Sequence, residues 1–295
     1  MAFVRAPQRT LFFREARGER KIPLACACLL AGLLLPAADP SARCSGDWIC
    51  IEATREAGEV ELSAANLRNL PITFTLRVRT RHLRPADPEI TATLAPHEKR
   101  VVLVLRATDE ERQSRYRIAY DWTVGSRDAV HDDSHVYRLP YAPGRSYRVL
   151  QGYGSGFSHT GLEEFAVDFK MPEGTPVHAA RGGIVARIEE SHSRGCWDDG
   201  CGDYANYIVI LHDDLTTGEY YHLQQDGVLV EPGERVEAGQ RIGLSGNTGH
   251  TTTPHLHFAV YRAVEWGRTQ SLPVRFLTAG GIVERPRRGD RYRVP

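Results

Sequence analysis

The pentapeptide PHLHF, residues 254–258, constrains this chain more than any other stretch. Successive side chains on a strand point to opposite faces, so in an extended segment His255 and His257 share one face while Leu256, Phe258 and Val260 share the other. On a helix, positions two apart diverge around the axis, so the pattern makes chemical sense only as a strand with its apolar face buried. Two imidazoles on one side of a strand look like half of a zinc site. Further donors stand upstream: His159 and Asp168 in SHTGLEEFAVDF, and His222 in YYHL.

The rest of the composition is permissive. At 295 residues, 41% hydrophobic and 25% charged, the chain is ordinary for a globular protein and long enough for two domains. Acidic and basic residues balance at 37 each, which argues against gripping nucleic acid or an anionic surface through bulk charge. The specific chemistry must therefore come from a site.

Arg5, Arg9, Arg14, Arg17, Arg20 and Lys21 precede an apolar run from Ile22 to Ala38, followed by the small-residue stretch PAADPSAR. This reads as an export signal over residues 1–43, cleaved near residues 38–43. The run holds Pro23, Gly32 and Pro36 and falls short of the roughly 20 apolar residues a spanning helix needs, so no stable membrane anchor is expected. Cys26 and Cys28 lie inside the run rather than after it, so lipidation is not expected. The mature chain would then be periplasmic or extracellular and keep Cys44, Cys50, Cys196 and Cys201, an even number that allows three pairings in an oxidising compartment. Close spacing favours Cys44 with Cys50 and Cys196 with Cys201. A competing metal site on Cys196, Cys201 and His192 lacks a fourth ligand.

The expected fold class is all-β. Over residues 44–123, Ile72, Phe74, Leu76 and Val78 alternate with Thr73, Thr75, Arg77 and Arg79, and Tyr116, Ile118, Tyr120 and Trp122 repeat the period. A β-sandwich fits, with a packing or recognition role. Residues 124–150 lose the alternation and read as a linker, in which HDDSH is a solvated connection rather than a metal cluster. Short strands punctuated by glycine return over residues 151–279 as a second β-domain, and residues 280–295 read as a flexible basic tail carrying Arg285, Arg287, Arg288, Arg291 and Arg293.

That second domain supplies five groups suited to one metal site, whereas a catalytic zinc usually takes three protein ligands and leaves a position for water. The surplus has a use. Hydrolysis also needs proton transfer and stabilisation of the developing oxyanion, and no HExxH helix supplies a glutamate base.

Residues 151–262 resemble the lysostaphin-like (LytM-type) zinc metallopeptidases, which cut peptide cross-links or bridges in peptidoglycan. SHTG with AVDF, MPEGTPVHAARGGIV, NYIVILH, YYHL, VEAGQRIGLSGNTG and PHLHF follow that family's order. The resemblance implies a Zn2+ cofactor held by His159, Asp168 and His257, with His222 and His255 as catalytic histidines and peptidoglycan as the substrate. One of Tyr220 and Tyr221 would face the cleft and bind substrate or intermediate. Hydrolysis would use water activated at zinc, with one histidine as proton acceptor and the other stabilising the oxyanion.

Three departures stand out. The family commonly has its aspartate four residues after the first histidine, where this chain has Glu163; AVDFKMPEGTPV nevertheless matches the family around Asp168, with Glu163 as the alternative ligand. Thr253 replaces a usual glycine before PHLHF, and the loop from Ser191 to Tyr204 is longer. The alternative function is a catalytically silent wall-binding or hydrolase-regulating module on the same scaffold, and loss of ligands would be its mark.

Overall fold

The computed structural model describes residues 42–295 except positions 57 and 110; the export segment, with Cys26 and Cys28, lies outside the described residues apart from its last two positions. The described chain is built from strands with two short 3-10 turns, Gly161–Glu163 and Cys201–Tyr204, and no α-helix. No described helix is long and apolar enough to cross a membrane.

The N-terminal strands form two sheets. One has the order Arg43–Ser45, Ile49–Glu56, Glu59–Asn66, Lys99–Ala107 and Leu83–Arg84; the other places Ile72–Arg81 between Glu89–Leu94 and Arg115–Val124. Both close on one core of Ile49, Ile51, Leu62, Phe74, Leu76 and Leu105. The period-two reading predicts the inward face, and Ile72, Phe74, Leu76 and Val78 are all fully buried. Its polar face differs. Thr73 and Thr75 are also fully buried, because Thr73 Oγ1 donates to the Gly125 carbonyl while Thr75 Oγ1 accepts the Trp266 backbone N–H at 2.8 Å. A loop of the second domain thus covers this face. Disulfides join Cys44 to Cys50 and Cys196 to Cys201.

In the second domain a nine-stranded sheet runs Arg235–Val236, Gly183–Glu189, Tyr207–Leu211, Thr217–Tyr221, Leu256–Ala263, Val167–Phe169, Ser146–Gln151 and Arg291–Arg293, with Thr269–Leu272 beside Leu256–Ala263. Its apolar side packs on a three-stranded sheet of Pro176–His178, Arg241–Ser245 and Leu223–Val228. A smaller apolar cluster of Leu70, Val124, Ala186, Val209 and Leu211 spans the two domains, with Trp48 stacked on Trp122 beside it.

Two expectations are corrected here. Residues 280–295 are not a loose end: Arg291–Arg293 pairs with Ser146–Arg148, Tyr141 Oη donates to the Tyr292 carbonyl at 2.7 Å, and Val294 is buried. The linker also supplies structure, since Val136–Arg138 pairs with Arg275–Leu277 and Ser146–Gln151 enters the main sheet. Within HDDSH, His131 is not solvated: its side chain is buried, with Nδ1 against Asp133 and Nε2 against Tyr137 Oη, while Asp132 caps the turn at Ser134.

His212 is a structural histidine with a measurable signature. Its Nδ1–H donates to the Gly182 carbonyl at 2.9 Å, and a Cβ at Gly218 would meet Nε2 at 2.8 Å. Burial pushes its pKa from 6.5 down to about 4, so the unfolded chain binds the proton first as pH falls. The folded-state pKa is depressed, so stability is full above pH 6.5 and is lost between 6.5 and 4, by roughly 3 kcal/mol. Denaturant melts across that window should show the native chain losing about this much more than His212→Gln. Equal slopes would sink the assignment.

Candidate active site

Register brings the donors together. On adjacent strands Asp168 pairs with His257, and His257 pairs on its other side with Tyr221. Leu256 and Phe258 are buried on the opposite face, so packing of the apolar side aims His257 toward the polar one. Asp168 Oδ1 lies 2.9 Å from His257 Nδ1 and 3.2 Å from His159 Nε2, and one donor atom from each of the three residues falls within 4.8 Å of the others. All three are buried.

The outer atoms of the three residues are already engaged. His159 Nδ1 faces the Gly152 carbonyl at 3.3 Å, which makes Nδ1 its N–H and leaves Nε2, a buried atom with no hydrogen-bond partner, as a lone pair. Gln151 Nε2 donates to Asp168 Oδ2 at 2.7 Å, leaving Oδ1 for the centre. Tyr261 Oη donates to Glu163 Oε2 at 2.6 Å, so the phenol oxygen accepts from His257 Nε2–H at 3.1 Å and the neutral ring turns a bare Nδ1 inward. Three acceptors thus converge with no proton among them. A bound cation satisfies such an arrangement, as does a proton shared between His257 Nδ1 and Asp168 Oδ1, and two imidazoles with one carboxylate suit zinc.

The electrostatics agree. Burial works against the Asp168 carboxylate, but the imidazoles around it, His159 and His255 first and His257 after them, hold its pKa well below the usual range. Burial lowers His257, yet Asp168 outweighs it and raises the imidazole pKa, so positive charge is favoured on this ring.

His222 and His255 flank this cluster with ring centroids 4.5 Å apart. Each donates Nδ1–H to a backbone carbonyl at 2.7 Å, His222 to Thr248 and His255 to Thr253, so each directs an Nε2 lone pair elsewhere. That of His255 sits 3.9 Å from Asp168 Oδ1. Burial, reinforced by His255 and His257, holds His222 well below its ordinary pKa and keeps it neutral. His222 has φ +65°, a left-handed conformation uncommon outside glycine and costly unless the surroundings impose it.

Two further residues are reassigned. Glu163 does not join Asp168; it stands behind Tyr261, 3.8 Å from the outward Nε2 of His257, and backs that histidine instead of taking the place of the aspartate. Tyr220 does not face the cleft: it is fully buried in the core, its hydroxyl accepting the Ala180 N–H at 2.8 Å. Tyr221 shares the polar face with His257, but its hydroxyl is donated to Glu219, whose carboxyl burial pushes up. Neither Tyr261 nor Gln151 is singled out by the sequence reading, since their contacts join positions far apart in the chain.

A cavity of about 560 Å³ lies on one side of the cluster, with His222, His255 and His257 in its wall. A second, of about 820 Å³, opens toward the N-terminal sheets and includes Arg77, Asp121 and Trp122 with Glu219, Tyr221 and His257. Phe157 and Ser158 border both, so the two halves form one cleft across the donors.

An all-β domain whose cleft centres on a His, Asp and His cluster flanked by two imidazoles offers the groups that a metallohydrolase needs. More particularly, residues 163–271 match the model for Peptidase family M23. The chain is 43% identical over 91 residues to peptidoglycan DD-endopeptidase ShyA of Vibrio cholerae, covering 31% of this chain and 18% of the relative. It is 35% identical over 135 residues to glycyl-glycine endopeptidase ALE-1 of Staphylococcus capitis, covering 44% and 34%. A structure of lysostaphin from Staphylococcus simulans aligns at 32% identity over 42% of this chain and 47% of its own, with TM-score 0.32. The chain spans only 18% to 34% of these two curated relatives' length.

Proposed function

We propose that this chain is an exported zinc endopeptidase that hydrolyses amide bonds in the peptide cross-links of peptidoglycan. His159, Asp168 and His257 hold the ion, and His222 and His255 are the catalytic histidines. The observation that carries the reading is the convergence of three buried acceptors, Asp168 Oδ1, His159 Nε2 and His257 Nδ1, in one place. The substrate class is supported by the printed activities of the relatives.

When bound, zinc supplies Lewis acidity that lowers the pKa of water toward about 7 and polarises the scissile carbonyl. The chain's own groups do the rest. His222 and His255 are anchored through Nδ1, so Nε2 is the working atom of each. One Nε2 accepts the proton of the attacking water and passes it to the departing amine; the other ring, protonated to an imidazolium because its Nδ1–H is already given to a carbonyl, donates Nε2–H to the oxygen on which negative charge develops. Residues of the N-terminal sheets line part of the cleft, which gives the sandwich a role in receiving substrate.

A direct test is metal analysis of the purified chain together with digestion of sacculi, products separated by mass. About one zinc per chain and loss of cross-linked fragments, abolished by chelator and restored by zinc, are expected. A metal-free chain that leaves cross-links intact would favour the silent regulator.

Tyr261→Phe probes the brace behind His257. It keeps the ring but removes the oxygen that accepts from Nε2–H, and outer partners of this kind are worth about 10- to 100-fold in metal affinity. Zinc competition titration should find weaker binding of that size in a folded variant. Unchanged affinity would show that Glu163 and Tyr261 do not support the centre.

A further inference from the structure

We infer that Phe157, braced from behind by Trp197 and His250, is a platform for a pyranose ring of the glycan strand. The inference rests on the peptidoglycan reading above and adds to it a sugar subsite beside the peptide-cutting centre.

The rings are placed in series. Phe157 stacks on Trp197 at 5.3 Å between centroids with planes 13° apart, and Trp197 stacks on His250 at 4.1 Å and 29°. Trp197 is therefore the middle layer, and Phe157 is 64% exposed. The support is rigid. Cys196 and Cys201 close the Trp197 loop, Gly195–Cys196 pairs in parallel with Gly249–His250, and the Thr251 N–H is bonded to the Cys196 carbonyl at 3.0 Å. A platform held in its binding arrangement before the ligand arrives loses little freedom on binding.

The surroundings select the ligand. A protein partner calls for a contiguous apolar patch of a few hundred Å². Here Ser155, Ser158, Thr252, Arg148 and Arg288 line the same cavity as the aromatic pair. An exposed ring set among hydroxyls and guanidinium groups matches a ligand with an apolar C–H face and a polar rim, which describes a pyranose. The ring's negative face attracts the polarised C–H bonds, and the rim donors and acceptors meet the hydroxyl and acetamido groups. The position is also apt. Phe157 borders both halves of the cleft, so a sugar seated on it lies next to the peptide it carries.

The decisive experiment uses the zinc-loaded full chain and glycan strands stripped of their peptides, which an endopeptidase cannot cleave, with binding read by calorimetry. The native chain should bind such strands, Phe157→Ala should bind about five- to tenfold more weakly, and Phe157→Tyr should retain affinity. Phe157 is exposed, so its truncation does not threaten the fold. In parallel, Phe157→Ala should lose several-fold more kcat/KM on sacculi than on a sugar-free cross-linked peptide. Equal strand affinity for native and Phe157→Ala overturns the platform, as does an equal loss on the two substrates. If neither substrate is cut, the endopeptidase reading falls, while strand binding still decides the sugar site.

Discussion

Asp168→Asn should leave a folded protein that no longer retains zinc and no longer digests sacculi. Asp168 is the only anion among the three proposed ligands, and its Oδ1 is the common neighbour of His159 Nε2, His257 Nδ1 and His255 Nε2 at 3.2, 2.9 and 3.9 Å. An amide at this position keeps the shape and can still meet Gln151, but it offers no charge. Asp168→Ala goes further, leaving the half-buried Gln151 amide without its acceptor, and should destabilise the metal-free protein by about 1–3 kcal/mol. Because burial is outweighed and the folded-state pKa of Asp168 is depressed, its stabilisation is present above the unfolded carboxyl pKa and is lost as pH falls through the folded one. Both variants should lack that acid-side loss. Thermal melts with zinc complete the test: an excess of 100 times Kd stabilises a one-site protein by about 2.7 kcal/mol, so zinc should shift the native melt and leave Asp168→Asn unmoved. Native zinc affinity in Asp168→Asn would remove the carboxylate from the centre.

How much of this was readable before any coordinates depends on whether a signal is local. The HxH spacing is, and it correctly demands a strand whose Leu256 and Phe258 are buried while His257 faces the donors. Alternation through Val78 is equally local. Alternation also separates Tyr220 from Tyr221, but it does not say which of the two faces the cleft. Period two would put Tyr220 on the side of His222, but the strand ends at Tyr221 and His222 turns through a positive φ, so the imidazole swings to the side of Tyr221 and His257. A single left-handed residue reverses the parity on which the argument depends.

Long-range partners were also invisible. Thr75 looks solvated until Trp266, 191 positions later, donates to it, and Glu163 looks like a displaced ligand until Tyr261, 98 positions later, takes its carboxylate. The Arg-rich end reads as loose because few of its residues are apolar. Its order comes from main-chain pairing with Ser146–Arg148 and from Tyr141, neither of which leaves a compositional trace.

His255→Ala should behave unlike the aspartate variants: zinc stays and hydrolysis goes. The ring lies on the polar side of the cleft, and its removal leaves Leu256 and Phe258 packed as before, so the fold and the three proposed ligands survive. What disappears is an oriented Nε2, held by the 2.7 Å bond from Nδ1 to Thr253. A positioned acid or base contributes about 10²- to 10⁴-fold, so kcat on a cross-linked peptide should fall within that range with metal content unchanged. His222→Ala should fall comparably, and the double variant by much less than the product of the two, because two groups serving one proton transfer and one oxyanion act as a unit. Full product of the two losses would mean that the histidines serve separate steps. Undiminished digestion of sacculi by His255→Ala would deny it any part in the chemistry, whatever its distance from the centre.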